Sequence, residues 1–144
     1  MKTVQRIIDL FGGLRVLRNN PIKLEIEGFM PLSIEFIGYG PRDLPLVSVM
    51  HHFEQNGDLM RDPDMEFEID GQGKWHPVSY RQDSIGGVLQ EAVFVDDKTG
   101  KVMVRPKLVR DLRRFAATWS KNLDEQGFLE AAQKAVAKKS GDEA

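Results

Sequence analysis

The chain opens on a helical pattern. Val4, Ile7, Ile8, Phe11, Leu14 and Leu17 recur every three or four residues, the spacing that gathers apolar side chains on one face of a helix. Gly12 and Gly13 interrupt the run, each costing about 1 kcal/mol relative to alanine in a helix interior. A helix over residues 1–18 is therefore expected to break or fray at the pair. Asn19, Asn20 and Pro21 end it, because proline disfavours helical geometry in the residue before it. From Ile22 the period falls to two. Ile22, Leu24 and Ile26 alternate with Lys23, Glu25 and Glu27; beyond Gly28 and Pro31, Leu32, Ile34 and Phe36 alternate with Ser33 and Glu35. This predicts two half-buried strands joined as an antiparallel hairpin.

Gly38 to Pro45, GYGPRDLP, reads as a surface loop. Strands are then expected near Leu46 to Glu54, Met65 to Asp70, Trp75 to Gln82, Val88 to Val95 and Lys101 to Val104. They are separated by Asn56-Gly57, Asp62-Pro63, Gly71 to Gly73, Gly86-Gly87 and Asp97 to Gly100, residues suited to turns. The run VLQEAVFV is the most apolar and is assigned the centre of the sheet. After Arg105 the helical period returns. Pro106 suits a first turn, Leu108, Leu112, Phe115 and Trp119 form one stripe, and a second helix from about Leu123 or Asp124 turns Phe128, Leu129, Ala132 and Val136 inward. Residues 139–144 have nothing to bury and are expected to fray. The predicted architecture is one α+β domain over 1–144. An N-terminal helix (1–20) and two C-terminal helices (106–138) cover one face of an antiparallel meander of five to seven strands (22–104).

Composition narrows the function classes. With 41% hydrophobic and 29% charged residues the 144-residue chain is an ordinary globular domain large enough for a core. A net charge of -2 argues against a whole-molecule field for nucleic acid. The absence of cysteine removes disulfides, thiol nucleophiles and Cys-based zinc sites, and fits a reducing compartment. Arg6, Asp9 and Arg15 break the N-terminal run, unlike a signal peptide, and no stretch approaches the roughly 18 apolar residues of a membrane span. A cytoplasmic protein with no membrane association is expected.

Three constellations carry candidate chemistry. His52, Glu54, Asp58 and His76 are metal-ligating types able to activate water in a hydrolase or nuclease. His51 cannot join His52, because strand neighbours point to opposite faces, and the spacing matches no helical zinc motif. The second is acidic: Glu54, Asp58, Asp62, Asp64, Glu66, Glu68 and Asp70. Paired carboxylates can divide acid and base roles, but Met65, Phe67 and Ile69 alternate with Glu66, Glu68 and Asp70, which makes the acids a solvated row open to a partner. Trp75, Tyr80, Phe94, Phe115 and Trp119 read most simply as core; the alternative for Trp75, after a Gly-rich turn, is partial exposure as an interface anchor. The third is basic: Lys107, Arg110 and Arg114 lie off the apolar stripe of their helix and are placed to touch phosphates. No GxSxG, SxxK, Walker or dinucleotide pattern is present.

The segments EQNGDLMRDPDMEFEI, SYRQD behind Trp75 and Pro77, QEAVFVDD and VMVRPKLVRDLRRFAATWSKNL resemble those of domain-of-unknown-function family 6908, small uncharacterised bacterial proteins associated with phages and other mobile elements. The resemblance runs from about Val47 to Phe128 and leaves residues 1–45 outside. It implies no catalytic residues; its setting implies a protein that acts by binding host or element proteins, including inhibitors of host defence. The resulting expectation is a non-enzymatic module without cofactor. Its protein partner meets Asp58, Asp62, Asp64, Glu66, Glu68 and Trp75. A metal-dependent hydrolase at His52 and Glu54, and nucleic-acid binding by the basic helix 107–121, are the alternatives.

Overall fold

The structure, a computed structural model, describes residues 1–84 and 86–143, with side chains through Lys139. The N-terminal amphipathic stretch forms α1 (Lys2–Leu10) and, beyond the break at Gly12 and Gly13, the single turn α2 (Leu14–Leu17). Strands β1 (Ile22–Leu24), β2 (Leu32–Tyr39), β3 (Pro45–Gln55), β4 (Asp58–Ile69), β5 (Trp75–Gln82) and β6 (Val88–Glu91) follow. They pair in that order as a six-stranded antiparallel meander. A separate hairpin joins β7 (Val93–Val95) to β8 (Val102–Val104). Helices α3 (Pro106–Glu125) and α4 (Phe128–Glu143) complete the chain. α4 stays helical into the segment expected to fray; Ala144 lies outside the described residues.

Alternation sets the two faces of the sheet. Ile22, Ile34, Val49 and Met65 stand in one cross-strand row, and Phe36, Val47 and Phe67 in the next. The helices cover this side with Val4, Ile7, Ile8, Leu112, Trp119, Leu123, Phe128 and Ala132. Each large side chain fully buried here, such as Phe67 or Phe128, contributes roughly 1.5–3 kcal/mol. Two hydrogen bonds clamp α1 to α3: the Thr3 N–H donates to Ser120 Oγ at 3.0 Å, and Thr3 Oγ1 donates to the Ser120 carbonyl at 2.7 Å.

Two sequence expectations change. Asp62-Pro63 is not a turn, for β4 runs straight through it. There two residues of β4, Asp62 and Pro63, stand opposite one of β3, His51, and such a bulge takes a proline because its position needs no ladder N–H. The hairpin turn sits earlier, at Asn56 (φ 53°) and Gly57 (φ 83°), the two left-handed positions of a tight hairpin. VLQEAVFV is not a central strand. It bends at Ala92, which is fully buried; its N–H donates to the Val78 carbonyl at 2.7 Å and its carbonyl accepts from the Arg105 N–H at 2.8 Å. The first half becomes the edge strand β6, exposed at all four residues, and the second half leaves for the small hairpin.

Candidate functional site

Two regions collect polar side chains, and they use them differently. On the sheet face away from the helices, Glu35, Ser48, Glu66, Ser79 and Glu91 form a row across five strands, with Ser33, Met50, Asp64 and Arg81 beside it. Acids and hydroxyls alternate. Ser48 Oγ donates to Asp64 Oδ1 at 2.6 Å. Burial raises the pKa of Asp64, and that of Glu66 is raised first by burial and then by the charge of Asp64. Arg61 and Arg81 both pair with Asp83, at 3.7 and 3.1 Å; the carboxyl of Asp83 is held below its ordinary range chiefly by the backbone N–H of Arg61. A depression of about 500 Å³ on this face is lined by Arg61, Arg81, Glu66 and Glu91, matched in sign, together with Leu89 and Val78.

Glu68 departs furthest from the expected solvated row. It is 0% exposed. Arg42 Nε donates to its Oε1 at 2.8 Å, and the N–H groups of Arg42 and Leu44 donate to Oε2 at 2.9 and 3.3 Å. The loop at 40–44 folds over the carboxylate, which requires Gly40: a Cβ there would lie 2.4 Å from Glu68 Cγ. Glu68 is therefore an internal anchor, with nothing left for a partner. Asp62 accepts from Gln82 at 2.7 Å and is half-buried; of the acidic set only Glu54 and Asp58 are exposed.

The histidines divide as strand geometry demands. His51 turns to the helices and packs on Trp119 and Phe128, each ring 5.5 Å away centre to centre. His52 turns to the other face, with Nε2 2.9 Å from Ser33 Oγ, a serine–histidine contact that strand-by-strand reading missed. Both rings are buried, which lowers their pKa. His76 pairs with Glu68, which pairs with Leu46, six residues along β3 from His52, roughly 20 Å at strand rise. The expected metal set His52, Glu54, Asp58 and His76 therefore does not converge. No group of three or more metal-ligating side chains occurs among the described residues. Lys107, Arg110 and Arg114 are exposed along α3.

The second region lies where the β4–β5 turn meets α1 and α3. Asp70 organises the turn: its Oδ1 accepts from the N–H groups of Gln72 at 2.8 Å and Lys74 at 3.0 Å, and its Oδ2 from His76 Nε2 at 2.9 Å. The hydrogen bond from His76, then that from Lys74, lowers the Asp70 pKa to about 2. On the other side of the ring, Arg113 lies 3.3 Å from His76 Nδ1. A guanidinium only donates, so Nδ1 accepts, and His76 is the tautomer with its proton on Nε2. Trp75 is half-exposed. It stands edge-on to Phe67, 5.3 Å between ring centres, and donates its indole N–H to Gln5 Oε1 at 2.8 Å. Around it opens a cleft of about 660 Å³ lined by Lys2, Arg6, Lys74, His76 and Arg113. Among the described residues none of these four lysine and arginine side chains forms an ion pair. Trp75 is partly buried against the core, as the simpler reading of its sequence has it, and keeps a partly exposed edge; the cations around it were scattered over three elements and formed no motif. The one legible signal was Asp70 ahead of Gly71 and Gly73, the start of a side-chain-capped turn.

Fold and site together define an α+β domain with a helix-covered antiparallel sheet and one open, cationic, aromatic cleft. The chain belongs to the family described as Domain of unknown function (DUF6908), whose model matches residues 2–129. The match takes in the N-terminal helices and β1–β2 as well as the later segments that carry the resemblance. Comparison with curated proteins gave no match, and comparison with solved structures gave none. No helix among the described residues is long and apolar enough to cross a membrane.

Proposed function

We propose that this chain is a non-enzymatic protein-binding module of a phage or other mobile element, cytoplasmic, that modulates a host protein by engaging it at the Trp75 cleft. One observation carries the reading: a tryptophan held partly exposed by Gln5 and Phe67 stands among cations that form no ion pair among the described residues. Interface anchors are commonly Trp and Arg side chains, and unpaired surface charge steers association. The dispersal of His52, Glu54, Asp58 and His76 gives no support to the hydrolase reading built on them. The lack of cysteine supports a reducing compartment, and the resemblance supports the mobile-element setting.

A photo-cross-linking side chain placed at Gln72, exposed on the β4–β5 turn beside the cleft, tests this in cells that carry the partner. The expected result is a covalent adduct with one protein that is absent when the probe sits at Glu27, on the distant β1 side of the sheet, and that is lost with Arg113→Glu. No adduct at position 72, or equal adducts at both positions, overturns the proposal.

A further inference from the structure

We infer that the occupant of the Trp75 cleft is a short acidic segment of the partner protein, presenting Asp or Glu side chains to Arg113, Lys74, Lys2 and Arg6 and an apolar side chain to Trp75. The inference rests on the cleft being the binding surface and names what it binds. Three separate elements deliver the charges: Lys2 and Arg6 stand one turn apart on α1, Lys74 closes the β4–β5 turn, and Arg113 reaches across from α3. Asp70, on the same turn as Lys74, does not neutralise them. Both oxygens of Asp70 are occupied by the N–H groups of Gln72 and Lys74 and by His76. His76 in turn holds Arg113 by one nitrogen, leaving other guanidinium donors for a carboxylate, which arginine binds through two parallel hydrogen bonds.

The surroundings favour a short acidic segment over nucleic acid. A DNA duplex carries one negative charge per about 1.7 Å of its axis and needs a long basic stripe. Carboxylates flank the cleft on its α1 side: Asp9 lies with Arg6 in one adjoining depression, and Asp124 with Lys2, Arg6 and Lys121 in another, so a long polyanion leaving the cleft there meets acids as well as cations. A segment spanning only the cleft meets cations and the indole.

The test uses fluorescence anisotropy at low salt with three labelled probes: a peptide in which glutamates flank one leucine, the same peptide with glutamines, and an oligothymidylate. The expected result is saturable binding of the glutamate peptide alone, weakened by added salt. Arg113→Ala and Lys74→Ala should each weaken it by about tenfold, the loss of one charge-assisted hydrogen bond. Both residues are exposed, and circular dichroism confirms that each variant is folded. Equal binding of the glutamine peptide, preference for the oligothymidylate, indifference to both substitutions, or no binding of the glutamate peptide overturns the inference. A cross-link from position 72 that persists beside such a failure leaves the binding surface standing and removes only the acidic ligand.

Discussion

Glu68 and Asp70 lie two residues apart, one next to last in β4 and the other opening the turn after it, and each gathers three hydrogen-bond donors. Around Glu68 the donors close over the group: Arg42 and the 40–44 loop seal it from water. Around Asp70 they build an edge: the turn is fixed, His76 is oriented, and Arg113 beyond it stays in solvent. The same contrast holds for the wider regions. On the open face Arg61 and Arg81 are matched by Asp83, and Asp64 by Ser48. In the cleft no ion pair among the described residues engages Lys2, Arg6, Lys74 or Arg113. A cluster of charged residues thus says little about function until its internal partners are known; binding capacity resides in what the fold leaves unpaired.

The largest expected effect separates these roles. Arg42→Ala strands a carboxylate with no exposure and should cost about 3 kcal/mol, seen as a lower urea midpoint, while the glutamate-peptide affinity of the folded variant stays unchanged. Lost affinity with unchanged stability would reverse the assignment of the two regions. Next is Ser120→Ala. It leaves the buried Thr3 N–H without its acceptor, a loss of roughly 1–2 kcal/mol. Because α1 carries Lys2 and Arg6, peptide binding should weaken severalfold as well, so this variant links fold to cleft where Arg42→Ala does not.

Much of this fold was legible because the apolar period switches cleanly between 3.6 and 2. The break at Gly12-Gly13, the β1–β2 hairpin and the bounds of β5 all follow from it. The failures share a physical cause in tertiary override of local signals. Asp62-Pro63 looks like a turn, but a bulge opposite His51 absorbs the proline. VLQEAVFV looks like one central strand, but Ala92, small and buried, bonds to both Val78 and Arg105 and lets the chain change sheets. The site was half legible. Trp75 stood out because a large aromatic after a Gly-rich turn has little around it to bury it. Lys2 and Arg6 did not, and Arg113 read only as the border of the basic helix stripe, since bringing 2 and 113 together is a property of helix packing through Thr3 and Ser120. Alternation placed Glu68 on the open face correctly, yet alternation assigns a face and not its cover, and the cover is a loop held by Gly40.

The smallest expected effect is a difference in pH dependence. The carboxyls of Asp64 and Glu66 have folded pKa values raised above their ordinary 3.8 and 4.5 by burial. The folded state therefore holds protons more tightly than the unfolded chain, and the contribution of these two groups is present below those values and lost as pH rises through the folded ones. Asp70, lowered from 3.8 to about 2, and Asp83, lowered by the Arg61 N–H, act in the opposite sense: they contribute above the ordinary value, and the contribution disappears as pH falls toward about 2 for Asp70. Urea midpoints measured across this range should show both limbs. Asp64→Asn with Glu66→Gln should flatten the limb above pH 4.5 and leave the acid limb, whereas Asp70→Asn should shrink the acid limb and leave the other. If the double variant keeps the wild-type slope above pH 4.5, the acids of the open face are as solvated as strand alternation alone implies. The contrast between an internally committed face and an open cleft then loses its electrostatic half.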